Sequence, residues 1–431
     1  MQTLATASIR RSDAIGLLDI GTSKTICLII PPPGAQGSGL WRRDGAGVMG
    51  CGVAATRGLK AGVVIDMEGA EQALRAAVTQ AELAAGVTLN QVLVAVTGGR
   101  LKSLSFEAEA RVADGIVSDA DVDRLEDAGR DYAQHDGHTL LHLAQIGYRL
   151  DDAGGVSNPR GMAGDLLAAD FHAVTAEEGP LRNLLHVVER AFLVPTGMVP
   201  APHASGLAAT SDEERRAGVT CIDMGAGTTT LSMFAEGHLL AVDTVAVGGH
   251  HVTFDIARSL ATPIMEAERI KTLHASVEEG AAEDDELISF AASGAITGES
   301  ERGLNETTKA ELHEIVAPRI TDLLTQAAER IERSGVAHLA AHRIVLTGGS
   351  SQLKGLGQFA EDLLGQPVRV GHPELADGVP VAYCNPIFST AIGLIPIALD
   401  PAARLTGRSA RGERESAGYL ARVSQWLRHG F

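Results

Sequence analysis

Leu18-Asp19-Ile20-Gly21-Thr22-Ser23-Lys24-Thr25 decides the fold once it is set beside Cys221-Ile222-Asp223-Met224-Gly225-Ala226-Gly227-Thr228-Thr229-Thr230. Each stretch ends an apolar strand on an acidic residue, turns through Gly and hydroxyl residues, and leaves in a second apolar strand. Residues 15–30 and 219–234 therefore read as two hairpins of one design, about 200 residues apart. A duplication of this kind predicts two related lobes with a cleft between them, where ligands collect. A turn offering backbone N–H groups, hydroxyls and the Lys24 ammonium suits phosphate, although a polar turn with no ligand has the same composition. Two such turns facing each other would clamp a polyphosphate, with Asp19 and Asp223 placed to hold a hydrated Mg²⁺. Neither is a Walker A loop, because G-x-x-x-x-G-K-[ST] is absent and no helix follows the first turn directly. A third strand end, Ile344-Val345-Leu346-Thr347-Gly348-Gly349-Ser350-Ser351-Gln352-Leu353, carries a Gly pair that lets a flat ring approach the backbone.

Working outward, 431 residues give a prior of about three compact units. A hydrophobic fraction of 45% with 21% charged residues excludes a disordered chain and a membrane-embedded one. The net charge of −18 argues against nucleic acid as a partner, since phosphate-backbone binding needs clustered cations. The four cysteines, Cys27, Cys51, Cys221 and Cys384, show no C-x-x-C pairing, so neither a zinc site nor a disulfide framework is indicated. No secretory leader is recognised, and no run reaches the ~18 apolar residues that span a bilayer.

Along the chain, residues 48–54 resume a strand, and 68–85 form a helix with Ala73, Leu74, Ala77, Ala81, Leu83 and Ala84 on its buried face. Residues 91–96 are a short strand, and the charged stretch from there to Gly164, with a helix at 119–132, reads as an insertion. Residues 171–174 alternate like a strand, 181–191 form a helix, and 195–202 form a Pro-bounded junction. The acidic run at 278–286 reads as a solvated loop, 312–331 as a long amphipathic helix, and 389–399 as an apolar helix that Pro396 kinks or ends.

The three strand-end motifs, in this order, resemble the phosphate-1, phosphate-2 and adenosine signatures of the actin, sugar-kinase and Hsp70 superfamily. That resemblance implies an α/β, actin/Hsp70-like two-lobed fold with ATP at its centre. By similarity, Gly21, Thr22, Ser23 and Lys24 with Gly225, Ala226, Gly227, Thr228 and Thr229 grip phosphates, and Gly348, Gly349 and Ser350 face the adenosine. Gly248-Gly249 resembles a further phosphate-side turn. Glu268 and Lys271 match an A-E-x-x-K helix that reaches the nucleoside in these relatives, or else form an exposed i to i+3 ion pair.

Within the superfamily the chain is similar, over nearly its whole length, to the FtsA family of bacterial cell-division proteins. Arg57-Gly58 ahead of Gly62-Val63-Val64 and Asp66, Gln80-Ala81-Glu82-Leu83-Ala84, the charged insertion and the terminal segment carry this similarity. It implies residues 1–87, 165–200 and 387–400 as subdomain 1A, and 88–164 as an inserted α+β subdomain 1C in place of actin's 1B. Residues 201–250 with 331–386 would form 2A, 251–330 2B, 401–415 a linker, and 416–431 an amphipathic helix. The implied partners are the FtsZ C-terminal peptide, contacted around Arg302 and Arg319 of 2B, further copies of the chain in a filament, and later divisome proteins through 1C. The implied location is the cytoplasmic face of the inner membrane at the division site. On residue grounds alone, Arg302 and Arg319 are equally solvated charges.

The C-terminal segment speaks for itself. At 100° per residue, Tyr419, Leu420, Val423, Trp426, Leu427 and Phe431 fall within an arc of ~140°, with Arg422, Gln425, Arg428 and His429 outside it. Residues 401–431 hold six Arg and two Glu, a charge of +4 on an acidic chain. A helix over 416–431 would be about 24 Å long, too short to span a bilayer but suited to its interface. The other reading is a helix docked on this chain or a partner.

These observations favour an ATP-binding, filament-forming adaptor between a division polymer and the membrane. The rivals are a small-molecule kinase or chaperone-type ATPase, and a pilus-assembly adaptor of the same fold. A working ATPase needs a group that orients the attacking water. Where several relatives place an acid or Gln, this chain has Ala201-Pro202-His203, so slow or no hydrolysis is expected, with His203 the one possible substitute.

Overall fold

A computed structural model of the chain describes residues 14–32, 47–278, 286–291, 304–373 and 380–399. The linker and amphipathic segment, Arg302 and residues 279–285 of the acidic run lie outside the described residues.

The duplication is visible in the sheets. In the first lobe the strand order is Val194–Pro200, Gln91–Val96, Ile15–Ile20, Lys24–Ile30, Gly50–Ala55. In the second it is Val368–Val370, Ile344–Thr347, Val219–Met224, Thr229–Ala235, His238–Val245. Both sheets run as an antiparallel three-strand meander followed by two strands added in parallel. Asp19 pairs with Ile26 as Asp223 pairs with Thr230, so each acid sits one residue before the end of the strand that the meander shares with the parallel half. Such centrally placed strands are buried on both sides, which is why they read as apolar runs rather than alternating ones.

Helices Met67–Ala85 and Glu178–Arg190 cover one face of the first sheet. Asp66 caps the first of them by accepting from Glu68 N, and Gly86 ends it in the left-handed region at φ 69°. Two further helices, Ala201–Ala209 and Ser389–Leu399, cover the other face. They cross so closely that a Cβ on Gly393 would lie 1.7 Å from the Ala204 carbonyl oxygen. The second sheet is backed by helices Gly249–Ser259, Ile264–His274, Lys309–Arg333 and Leu356–Leu364.

The insertion is a sheet in the order Lys102–Arg111, Leu166–Glu177, His138–Leu150, Ala153–Val156, with helix Asp119–Ala133 packed on Phe171, Leu167 and Ala173. Its limits differ from the expected 88–164. Leu166–Glu177 pairs along its length with strands on both sides, so the insertion runs well past Gly164. Gln91–Val96 lies inside the first-lobe sheet and belongs there. The expected junction at 195–202 is the edge strand Val194–Pro200, where proline's missing N–H is tolerated, leading directly into a helix. Leu83, expected in the core, is 79% exposed, because the buried stripe of its helix runs through Ala70, Leu74, Ala77 and Ala81. Pro396 does not end its helix, which continues to Leu399.

Three histidines mark where the insertion meets the second lobe. His172 Nε2 lies 2.7 Å from Ser103 Oγ, which accepts from Val242 N at 3.1 Å. The ring of His142 stands edge-on to that of His203, 4.7 Å between centroids, and His203 backs onto Phe234. His142 Nε2, His172 Nδ1 and His203 Nδ1 have no hydrogen-bond partner among the described residues. Burial lowers His142 to about 4, and burial with its histidine neighbour lowers His172 to about 3. Burial, the other two histidines and Arg215 hold His203 well below its ordinary value. These imidazoles are neutral in the folded chain and take up protons readily only when unfolded, with an ordinary value near 6.5. Stability contributed by keeping them neutral is therefore present above about pH 6.5 and lost as the pH falls towards 4. Denaturant titrations between pH 7.5 and 5 should show that loss, and His142→Phe should flatten it; an equal slope in the variant would contradict the assignment.

Candidate functional site

The two hairpin turns are built alike and meet across the cleft. Gly21 N donates to Lys24 O at 3.0 Å, and Gly225 N donates to Thr228 O at 3.0 Å. Thr22 of the first turn bears directly on Gly227 of the second, where a Cβ would fall 2.5 Å from Thr22 Oγ1. The same Oγ1 accepts from Gly62 N at 3.3 Å. Around this contact lies a cavity of about 980 Å³, ample for a nucleotide.

Asp19, Gly21, Thr22, Ser23 and Lys24 line it from the first lobe, and Asp223, Gly225, Ala226, Gly227 and Thr228 from the second. Gly348, Gly349, Ser350, Glu268 and Lys271 line it as well. Two expected residues stand back from it. Thr229 is fully buried and donates to Val247 O at 2.9 Å. Gly248 packs behind the second turn, against the Gly225 and Ala226 carbonyls. The Gly248-Gly249 turn thus supports the second hairpin turn rather than offering its amides: Gly249 N donates to Gly225 O and His250 N to Ala226 O, at 2.9 and 2.8 Å. Ser350 Oγ donates to the same Gly225 carbonyl at 3.2 Å, so three loops share one anchor.

Glu268 and Lys271 are not a solvated ion pair. Lys271 Nζ sits 2.6 Å from Glu268 Oε2, 2.9 Å from Thr253 Oγ1 and 3.2 Å from Gly249 O. Burial draws the Glu268 carboxyl upward, but its bonds from Lys271 and Thr253 outweigh this and leave it below its ordinary value. The cluster pins the helix Ile264–His274 to the start of the helix Gly249–Ser259.

Asp19 and Asp223 face one another in the cleft. Burial, and then the charge of Asp223, raise Asp19 to about 7. Burial also raises Asp223, offset by hydrogen bonds from Ser205 and Thr390. Two buried carboxyls, each held above its ordinary value, fit a divalent cation, which would relieve both. No group of three or more His, Cys, Asp or Glu able to hold a metal occurs among the described residues, so any such ion keeps most of its water or takes phosphate oxygens.

Gln352, from the third strand-end motif, lines the cavity too, and sequence reasoning missed Gly62, Thr97 and Thr390 there. Only Gly62 carried a signal, inside the Arg57 to Asp66 stretch. His203, the possible substitute for a water-orienting group, is half-buried against His142 and Phe234 and does not line the cavity, whereas Ala201 does. Arg319 is committed within the chain, its Nε 2.6 Å from Asp255 Oδ2 and its Nη1 3.4 Å from Asp322 Oδ2. No helix of the described residues is long and apolar enough to cross a membrane.

Residues 220–393 match the family described as cell division protein FtsA, and residues 98–175 match the SHS2 domain inserted in FtsA. The chain is 38% identical to the cell division protein FtsA of Agrobacterium fabrum, covering 98% of this chain and 96% of that one. The chain belongs to the FtsA family. The FtsA proteins of Pseudomonas aeruginosa and Escherichia coli K12 are 32% and 29% identical, covering 99% and 96% of this chain and 100% and 97% of theirs. The protein in a solved PilM–PilN type IV pilus biogenesis complex matches with a TM-score of 0.61 at 17% identity, over 89% of this chain and 98% of its own. That likeness concerns the fold, which is the actin-like two-lobed one expected. The matched span of the FtsA insertion, 98–175, agrees with the observed sheet rather than with a boundary at Gly164.

The Asp19 pair gives a sign that can be checked. A carboxyl held at about 7 when folded and near 3.9 when unfolded destabilises the fold increasingly as pH rises through that window. Asp19→Asn should therefore be more stable than the parent at pH 8, by on the order of 1–2 kcal/mol, and show little difference at pH 4. Thermal melts at both values test this; lower stability of the variant at pH 8 would refute it.

Proposed function

We propose that this FtsA-family chain binds Mg²⁺–ATP in the cleft, polymerises on the inner membrane and anchors FtsZ filaments there, recruiting later division proteins through the insertion. The observation that carries the reading is the pair of matching Gly turns in contact across the cleft, each behind an inward acid. Lys24, Ser23 and the turn amides would bind phosphates from one side, and Gly225 to Thr228 from the other. Asp19 and Asp223 would hold the cation, which supplies charge neutralisation for the phosphate oxygens. Gly348-Gly349 leaves the backbone open to the base, with the Glu268–Lys271–Thr253 cluster supporting the nucleoside end.

The cleft residues bind and orient, and Ala201 occupies the place of a water-orienting group. Slow or absent hydrolysis follows, which suits a nucleotide that stabilises a polymer. Weak interfacial binding by one amphipathic segment at 416–431 becomes stable attachment when a filament presents many, so assembly and membrane affinity are linked. Tyr419, Leu420, Val423, Trp426, Leu427 and Phe431 would enter the interface, with Arg422 and Arg428 at anionic headgroups. For the FtsZ peptide, the half-buried Arg319 would have to exchange Asp255 for a peptide carboxylate, so Arg302 is the readier contact.

Co-sedimentation with anionic liposomes tests the whole reading. The full chain with Mg²⁺–ATP should pellet and bring an FtsZ C-terminal peptide with it, while a chain ending at Asp400 stays in solution. If both remain soluble under every condition, a soluble kinase or ATPase becomes the better reading. Mg²⁺–ATP at about a hundred times its Kd should separately stabilise the fold by ~2.7 kcal/mol; an unchanged melt would remove the nucleotide from the cleft.

A further inference from the structure

We propose that Thr390 is a positioning residue that fixes the Asp223 carboxylate for a cation-bound nucleotide, and that it does so from the last described helix of the chain. The inference rests on the nucleotide reading of the cleft. Asp223 is constrained at both oxygens: Oδ2 accepts from Thr390 Oγ1 at 3.2 Å, and Oδ1 packs so tightly on Gly348 that a Cβ there would lie 2.2 Å away. Gly348 holds φ at 84°, a conformation that suits glycine, so the wall behind Asp223 is rigid. Asp19, opposite, has no side-chain hydrogen bond among the described residues.

Thr390 is the unusual member of its helix. Ser389–Leu399 is otherwise apolar beyond its first turn, and Ile392, Leu394 and Ile395 are buried in the first-lobe core. A valine would fill the same volume, and packing gives no reason for a hydroxyl. A threonine within a helix usually donates to a carbonyl one turn back; here the donor reaches Asp223 across 167 positions of sequence. Its neighbour repeats the pattern, since the Ser389 and Thr347 hydroxyls are 2.6 Å apart and both residues are buried. Thr347 ends the strand beside Asp223's own and also donates to Gly371 O. Two consecutive hydroxyls therefore fasten the start of a first-lobe helix to two strand ends of the second lobe, and one of them grips the residue that would hold the ion. Thr390 and Asp223 both line the cavity, so this hydrogen bond is made at its wall.

The test uses the full chain with a fluorescent ATP analogue, titrated with Mg²⁺ and again with EDTA. Thr390→Val should lose about tenfold in affinity with Mg²⁺ and stay within twofold of the parent in EDTA, and Thr390→Ser should restore the Mg²⁺ value. Thr390→Ala serves the same purpose if the valine variant does not fold. Unchanged Mg²⁺-dependent binding in the valine or alanine variant overturns the inference and leaves the nucleotide reading intact. Equal losses with and without Mg²⁺, unrescued by serine, overturn it too, by assigning Thr390 a packing role. A parent chain that binds no nucleotide overturns the nucleotide reading itself, and this inference with it.

Discussion

Everything the cleft does depends on how closely two short helices cross beneath it. Ala201–Ala209 and Ser389–Leu399 touch with Gly393 over the Ala204 carbonyl, a separation that no side chain at position 393 would permit. The first of these helices is built almost wholly of small residues, Ala204, Ser205, Gly206, Ala208 and Ala209, which lets Phe234 and Ser232 of the second sheet approach from the other side. Were the crossing wider, Thr22 would no longer reach Gly227, and the two acids would no longer sense each other. Gly206 and Gly393 at this joint are thus a requirement of geometry, accepted at some expense in local helix stability.

The cleft is also held in an unfavourable electrostatic state. Burial pushes the carboxyls of both Asp19 and Asp223 upward, and the charge of Asp223 adds to the shift of Asp19. Such pairs are retained where a ligand resolves them. The loops around them are correspondingly stiff. A single carbonyl, Gly225 O, receives both Gly249 N and Ser350 Oγ, so the turns at Gly225, Gly249 and Ser350 are tied together.

The parts of this arrangement that are local in the chain could be read from the sequence. Asp19 to Thr25 and Asp223 to Thr230 announce their hairpins because turn chemistry and apolar strands lie within ten residues of each other. The sheets followed, since a repeated hairpin implies a repeated sheet. What escaped reading was pairing. Phe171 to Val174 alternate as a strand should, but nothing in that alternation says the strand lies between Lys102–Arg111 and His138–Leu150, so the insertion was ended too early. Leu83 failed for the opposite reason: a broad apolar stripe in an Ala-rich helix leaves its centre undefined by several tens of degrees. Thr390 and Thr97 are ordinary residues in the sequence, and His203 gave a local hint that its absence from the cavity lining overrules.

The insertion has a further effect through where it rests. His238–Val245 is the outermost strand of the second-lobe sheet, and such a strand exposes a row of unpaired amides and carbonyls that invites another chain to add on. Ser103 and His172 lie against it, and Val242 N is spent on the Ser103 hydroxyl. In the first lobe, Pro195 and Pro200 remove donors from the outer strand Val194–Pro200. Strand addition is thus discouraged at two of the four outer edges of the lobe sheets, the others being Gly50–Ala55 and Val368–Val370.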